Sequence, residues 1–149
     1  IGALWAYEAA ARDPRITAIY DLGAPINTDA FARIPFIIKS KLCQITDART
    51  DGEIRAVLAQ TYIDKADILR RIGAAVRIVH GTRDRVVALA DKEWLRDTFQ
   101  TLGVVRDLSM RVIENGDHCC TGDIPEIRRD MAGFFRAQLP VPGDAAKDV

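Results

Sequence analysis

The chain has 149 residues, 48% hydrophobic and 28% charged, which is ordinary for one soluble domain with a real core. Lys plus Arg equals Asp plus Glu at 21 each, so the net charge is zero. That balance excludes the basic footprint of a nucleic-acid or anionic-membrane binder. Arg70–Arg71 and Arg128–Arg129 sit in helical patterns and read as solvated faces. No apolar stretch reaches the roughly 18 residues of a membrane span. Three cysteines, two of them adjacent, imply no disulfide framework, and a reducing cytoplasm is the expected setting.

The first element, in "IGALWAYEAAARDPR", is a helix with Leu4, Ala6, Tyr7, Ala10 and Ala11 at helical spacing. Asp13-Pro14 should end it, because the residue before a proline avoids the α region. "RITAIYDL" (15–22) has the β-branched and aromatic content of a short buried strand. From about Asn27 to Ile72 the pattern is of short helices, with Thr28, Thr50 and Asp64 as N-caps and Gly73 as a stop. "AAVRIVHG" (74–81) is a second buried strand, "LADKEWLRDTFQTLG" an amphipathic helix closed by Gly103, and "VRDLSMRVIENG" a third strand. "DIPEIRRDMAGFFRAQL" is a last helix, with Asp123 as N-cap and Pro125 in its first turn. The tail, 140–149, is polar and broken by Pro and Gly.

Strands alternating with helices point to the α/β class, with parallel strands and crossover helices. The expected organisation is a core of 1–26 and 73–139, a helical insertion over 27–72 and a flexible tail over 140–149. Three strands make a narrow parallel sheet, so another segment of chain is expected against at least one edge.

In open parallel sheets, chemistry collects at the carboxyl ends of the strands. One strand runs into His80-Gly81-Thr82-Arg83-Asp84, and a later one into Asp117-His118-Cys119-Cys120. An acid after one strand and a histidine after a later one is the layout of an orienting carboxylate and a general base. Asp21, after the first strand, is the rival acid. His80 ends a buried strand and reads as structural. Cys119 and Cys120 read as small buried residues, because a metal site built on His118 lacks paired ligand spacing. Ser109 lies within a strand and Ser40 ends a helix, so neither is placed as a nucleophile.

These segments resemble the α/β-hydrolase superfamily. "VRIVHGTRDRVV" is similar to the segment carrying the family's catalytic acid, with Asp84 in that position. "ENGDHCC" resembles the loop of the catalytic histidine, with His118 in place. The His-Cys-Cys run resembles the branch of 2,6-dihydroxypseudooxynicotine hydrolase, fungal polyketide-shortening hydrolases and FrsA-like esterases. Several members of that branch cleave carbon–carbon bonds in β-dicarbonyl-type substrates. Ile1-Gly2-Ala3 resembles the residues just after the nucleophile of a G-x-S-x-G elbow, with Pro14 where the family's helix stops.

The resemblance implies a nucleophile immediately before Ile1 and an oxyanion-hole donor at the backbone N–H of Ile1. It implies that the insertion is a lid, with Phe31, Phe36 and Tyr62 facing substrate. The implied enzyme is a hydrolase working through an acyl-enzyme on an ester or a ketone-activated C–C bond. No metal and no organic cofactor is implied. The implied partners are a small acyl or β-dicarbonyl-type substrate and the upstream segment of the same protein, with no nucleic acid and no membrane; a homodimer is left open. Two alternatives stay open: a cysteine-dependent acyltransferase or cyclase of the same fold, and a non-catalytic binding protein built on it.

Overall fold

Three parallel strands pair in chain order, β1 (Ala18–Leu22), β2 (Ala75–Gly81) and β3 (Asp107–Ile113), in a computed structural model of the chain. The structure describes residues 2–25, 47–59 and 66–139. The register places Asp21 beside Ile78, and Gly81 beside Ile113. β2 is buried along nearly its whole length, as its run of Val and Ile demands of a central parallel strand.

The helices are α1 (Gly2–Arg12), α2 (Asp51–Ala59), α3 (Ala66–Leu69), α4 (Leu89–Leu102) and α5 (Ile124–Gln138). α1 ends one residue before Asp13-Pro14, and the Asp13 carboxylate turns to hold Arg15. Thr50 caps α2 as expected. Its Oγ1 accepts the amide of Glu53 at 3.2 Å, while Glu53 Oε2 accepts the amide of Thr50 at 2.9 Å. This reciprocal box satisfies two of the donors a helix start leaves unpaired. α4 stops at Gly103, whose φ of 62° lets its N–H reach back to the carbonyl of Phe99. Pro125 stands in the first turn of α5.

One expectation needs correction. Asp123 precedes α5 but its side chain caps nothing. A short 3₁₀ turn, Thr121–Asp123, intervenes, and the Asp117 carboxylate holds the loop that leads into it. The Asp117 carboxylate accepts the amides of Cys119 (3.1 Å) and Thr121 (2.9 Å) and the Thr121 hydroxyl. The expected caps Thr28 and Asp64 lie outside the described residues, as do most of the proposed insertion and the tail from 140 on.

Strand alternation sends side chains to two faces. Ile19, Val76 and Ile78 join Tyr7, Leu95 and Phe99 in the larger apolar cluster, beneath α1 and α4. Tyr20, Leu22 and Val79 point to the opposite face, with Ile127 of α5. The result is helix, sheet, helix in three layers. A half-buried ionic cluster pins the α5 side: Asp130 accepts from the Tyr20 hydroxyl at 2.7 Å and from Arg77 at 2.5 and 3.2 Å.

Candidate active site

Both loaded loops leave the carboxyl ends of adjacent strands, and the backbone stitches them together. The amide of Thr82 donates to the carbonyl of Ile113 (3.0 Å), and that of Arg83 to the carbonyl of Gly116 (2.9 Å). The Thr82 hydroxyl accepts the amide of Asn115 at 2.8 Å. So close an approach needs glycine. A Cβ on Gly81 would stand 2.2 Å from the carbonyl oxygen of Gly116, and one on Gly116 only 3.1 Å from Gly81 Cα. The loop after β3 also uses two left-handed residues, Asn115 (φ 59°) and Cys120 (φ 49°). Asn tolerates that conformation; Cys does so at a cost of about 1 kcal/mol.

This stitching brings His118 to Asp84. His118 Nδ1 lies 2.8 Å from Asp84 Oδ2. The other carboxylate oxygen, Oδ1, accepts the amides of Val86 (2.7 Å) and Val87 (2.9 Å). Asp84 is 1% exposed at its side chain and His118 34%. Burial pushes the Asp84 carboxyl up, but the His118 bond and the two amides outweigh it, leaving it below its ordinary range. An ionised Asp84 fixes the proton of His118 on Nδ1. Nε2 is then the basic nitrogen, on the partly exposed side chain.

Gly23 supplies the floor. Its φ is 64°, and a Cβ there would meet the His118 carbonyl at 2.7 Å and Nδ1 at 3.4 Å. The Gly23 amide is tied to the carbonyl of Val79 at 3.1 Å. None of the three packing glycines, 23, 81 and 116, was legible as such in sequence. The only local hint was that each directly follows, or stands within a few residues of, a strand end.

Asp21, the rival acid, is engaged elsewhere. It is fully buried and accepts from Lys92 Nζ (2.6 Å), the Tyr7 hydroxyl (2.8 Å) and the amide of Ala24 (3.0 Å). His80 is fully buried, as a structural residue should be, and its Nε2 is bonded to the carbonyl of Val87 at 3.1 Å. Burial chiefly holds its pKa below the usual imidazole value, so the ring is neutral. Its Nε2–H thus braces the loop whose amides grip Asp84.

The two cysteines part company. Cys120 is buried as expected, with Sγ 3.5 Å from the Asp117 carbonyl. Cys119 is exposed, against expectation; its amide is turned to the Asp117 carboxylate at 3.1 Å in the loop before Cys120. Ser109 lies within β3, as its sequence context indicated. Ser40, Ile1, Phe31, Phe36 and Tyr62 lie outside the described residues. A cleft of about 430 Å³ opens at the other end of the strands, against Thr17, Ala74 and Arg106, and has no acid–base pair.

No family model and no curated protein matches the chain. Solved structures do. The chain superposes on 2,6-dihydroxy-pseudo-oxynicotine hydrolase with a TM-score of 0.72 at 24% identity, over 92% of this chain and 37% of that one. Similar matches are AbyA5 (TM-score 0.68, 23% identity, 88% of this chain and 38% of that one) and the esterase Pf2001 of Pyrococcus furiosus (0.62, 17%, 93% and 51%). The fold is that of an α/β-hydrolase. Within this α/β-hydrolase fold the chain spans between 37% and 51% of the length of these three structures. Among the described residues, no helix is long and apolar enough to cross a membrane.

Proposed function

We propose that the protein is a hydrolase in which His118 is the general base and Asp84 its orienting carboxylate. The observation that carries this is the 2.8 Å contact between His118 Nδ1 and an Asp84 already gripped by two backbone amides. A carboxylate so held cannot swing away, so it fixes both the ring plane and the tautomer of its partner.

In this reading the nucleophile is the residue preceding Ile1, and the Ile1 N–H is one oxyanion donor. His118 Nε2 takes the nucleophile's proton as it attacks a carbonyl carbon. The tetrahedral intermediate collapses as His118 returns the proton to the leaving oxygen or carbon, and an acyl-enzyme forms. Water, deprotonated by the same Nε2, then releases the acid. The substrate class is a small ester or a ketone-activated C–C bond, consistent with the hydrolase and esterases whose structures match. In this reading segment 27–72, most of it outside the described residues, is the part of the chain that sets substrate preference. The setting is cytoplasmic.

The test uses the full-length protein and p-nitrophenyl butyrate. Hydrolysis should be abolished by a fluorophosphonate, with the mass adduct on the residue before Ile1. Unchanged turnover in His118→Ala would overturn the assignment.

A further inference from the structure

A lysine with no exposed surface stands out in α4. Lys92 shares its helix face with Leu95 and Phe99, and all three are fully buried. A buried ion pair is seldom the most stable filling for a core. An apolar pair of similar volume is often as good or better. Lys92 pairs with Asp21 at 2.6 Å, and the Asp21 carboxylate also accepts from the Tyr7 hydroxyl and the Ala24 amide.

What this carboxylate holds explains its place. Asp21 Oδ1 closes the turn after β1 through the amide of Ala24, and that turn contains Gly23, the floor beneath His118. Lys92 stands in the first turns of α4, which begins at Leu89, directly after the loop that grips Asp84. The ion pair therefore cross-links the surface under the histidine to the helix that follows the acid. We propose that Lys92 and Asp21 form a positioning pair that sets the register of His118 against Asp84. The proposal rests on the hydrolase reading above. Neither residue touches substrate. Their effect is on the geometry of the acid–base pair, where an error of about 1 Å can cost on the order of 100-fold in rate.

The test replaces both charges at once, so that neither is left buried alone. In the full-length protein, Asp21→Asn with Lys92→Met should fold, with a melting temperature near that of the parent. Its kcat for p-nitrophenyl butyrate should fall by on the order of 10- to 100-fold with KM within about twofold. Parental kcat in that folded variant would overturn the proposal. Should the double variant not fold, Lys92→Met alone decides. It breaks the pair but leaves Asp21 the Tyr7 hydroxyl and the Ala24 amide as donors. It should lose about tenfold or more in kcat with KM within about twofold, and parental kcat there is the overturning result. His118→Ala in the same assay separates the two claims. If it is inactive while the paired variant is fully active, only the positioning role fails. If it is fully active, the hydrolase reading fails first.

Discussion

Asp84 Oδ2 meets His118 Nδ1 at 2.8 Å across 34 positions of sequence, while Asp84 Oδ1 is held by two amides of its own loop. The carboxylate is thus positioned by backbone and the imidazole by the carboxylate. Asp84→Asn in the full-length protein should leave the fold intact. It should nevertheless cost about 10⁴-fold in kcat for p-nitrophenyl butyrate, because an amide can stabilise the wrong tautomer. His118→Ala should cost about 10³-fold or more. Steady-state kinetics with matched circular dichroism checks both, and a loss below tenfold in either would count against the pair.

The Asp130 cluster makes stability depend on acid. Burial raises the Asp130 carboxyl, but the bonds from Arg77 and Tyr20 more than offset this, so its folded pKa lies below the ordinary value. The unfolded chain binds that proton more readily. The contribution is therefore complete above the unfolded carboxylate pKa of about 4 and is lost as pH falls through the folded value. Asp130→Asn should destabilise by about 2 kcal/mol at pH 7, and the gap from the parent should close towards pH 3. Urea unfolding at several pH values measures it, and a gap independent of pH would refute the assignment.

Two glycines should behave oppositely. Gly81→Ala drives a methyl group into the Gly116 carbonyl at 2.2 Å, so the loop carrying His118 must move. A stability loss of about 1–3 kcal/mol is expected, together with loss of turnover. Gly103→Ala meets no atom within 4 Å and suffers only its positive φ. That should cost about 1 kcal/mol and leave kcat unchanged. Thermal melts beside kinetics distinguish the two effects.

Cys119 and Cys120 differ in accessibility despite their adjacency. Burial raises the Cys120 thiol above its usual value, whereas Cys119 faces solvent. Iodoacetamide at pH 8 should label Cys119 first and Cys120 only on unfolding. Peptide mapping gives the order, and equal rates would contradict the burial of Cys120.

Much of this was readable from local pattern. The strands ending at Leu22, Gly81 and Ile113 follow from β-branched runs stopped by loops, and Thr50 and Gly103 announced their helix ends. Asp84 and His118 stand out in the sequence because each lies in the loop leaving a strand's carboxyl end and because both segments resemble the hydrolase family; the structure places them 2.8 Å apart. The Asp21–Lys92 pair was not. Asp21 looks the same whether it orients an imidazole or meets an ammonium 71 positions away, and a lysine on an amphipathic helix ordinarily marks the wet face. Asp123 was misread as a cap because it stands just before the helix. Instead a 3₁₀ turn precedes the helix, and Asp117 binds the amides of Cys119 and Thr121 at the start of that turn.

The two site loops are sewn together by main-chain atoms: Thr82 N to Ile113 O, Arg83 N to Gly116 O, and glycine against glycine. Beyond the Thr82 hydroxyl and the two glycines, such a seam asks little of the side chains that border it. Arg83 enters it through its amide alone. Side chains around the two loops can therefore vary, in nature or by directed evolution, while His118 and Asp84 stay where the backbone puts them.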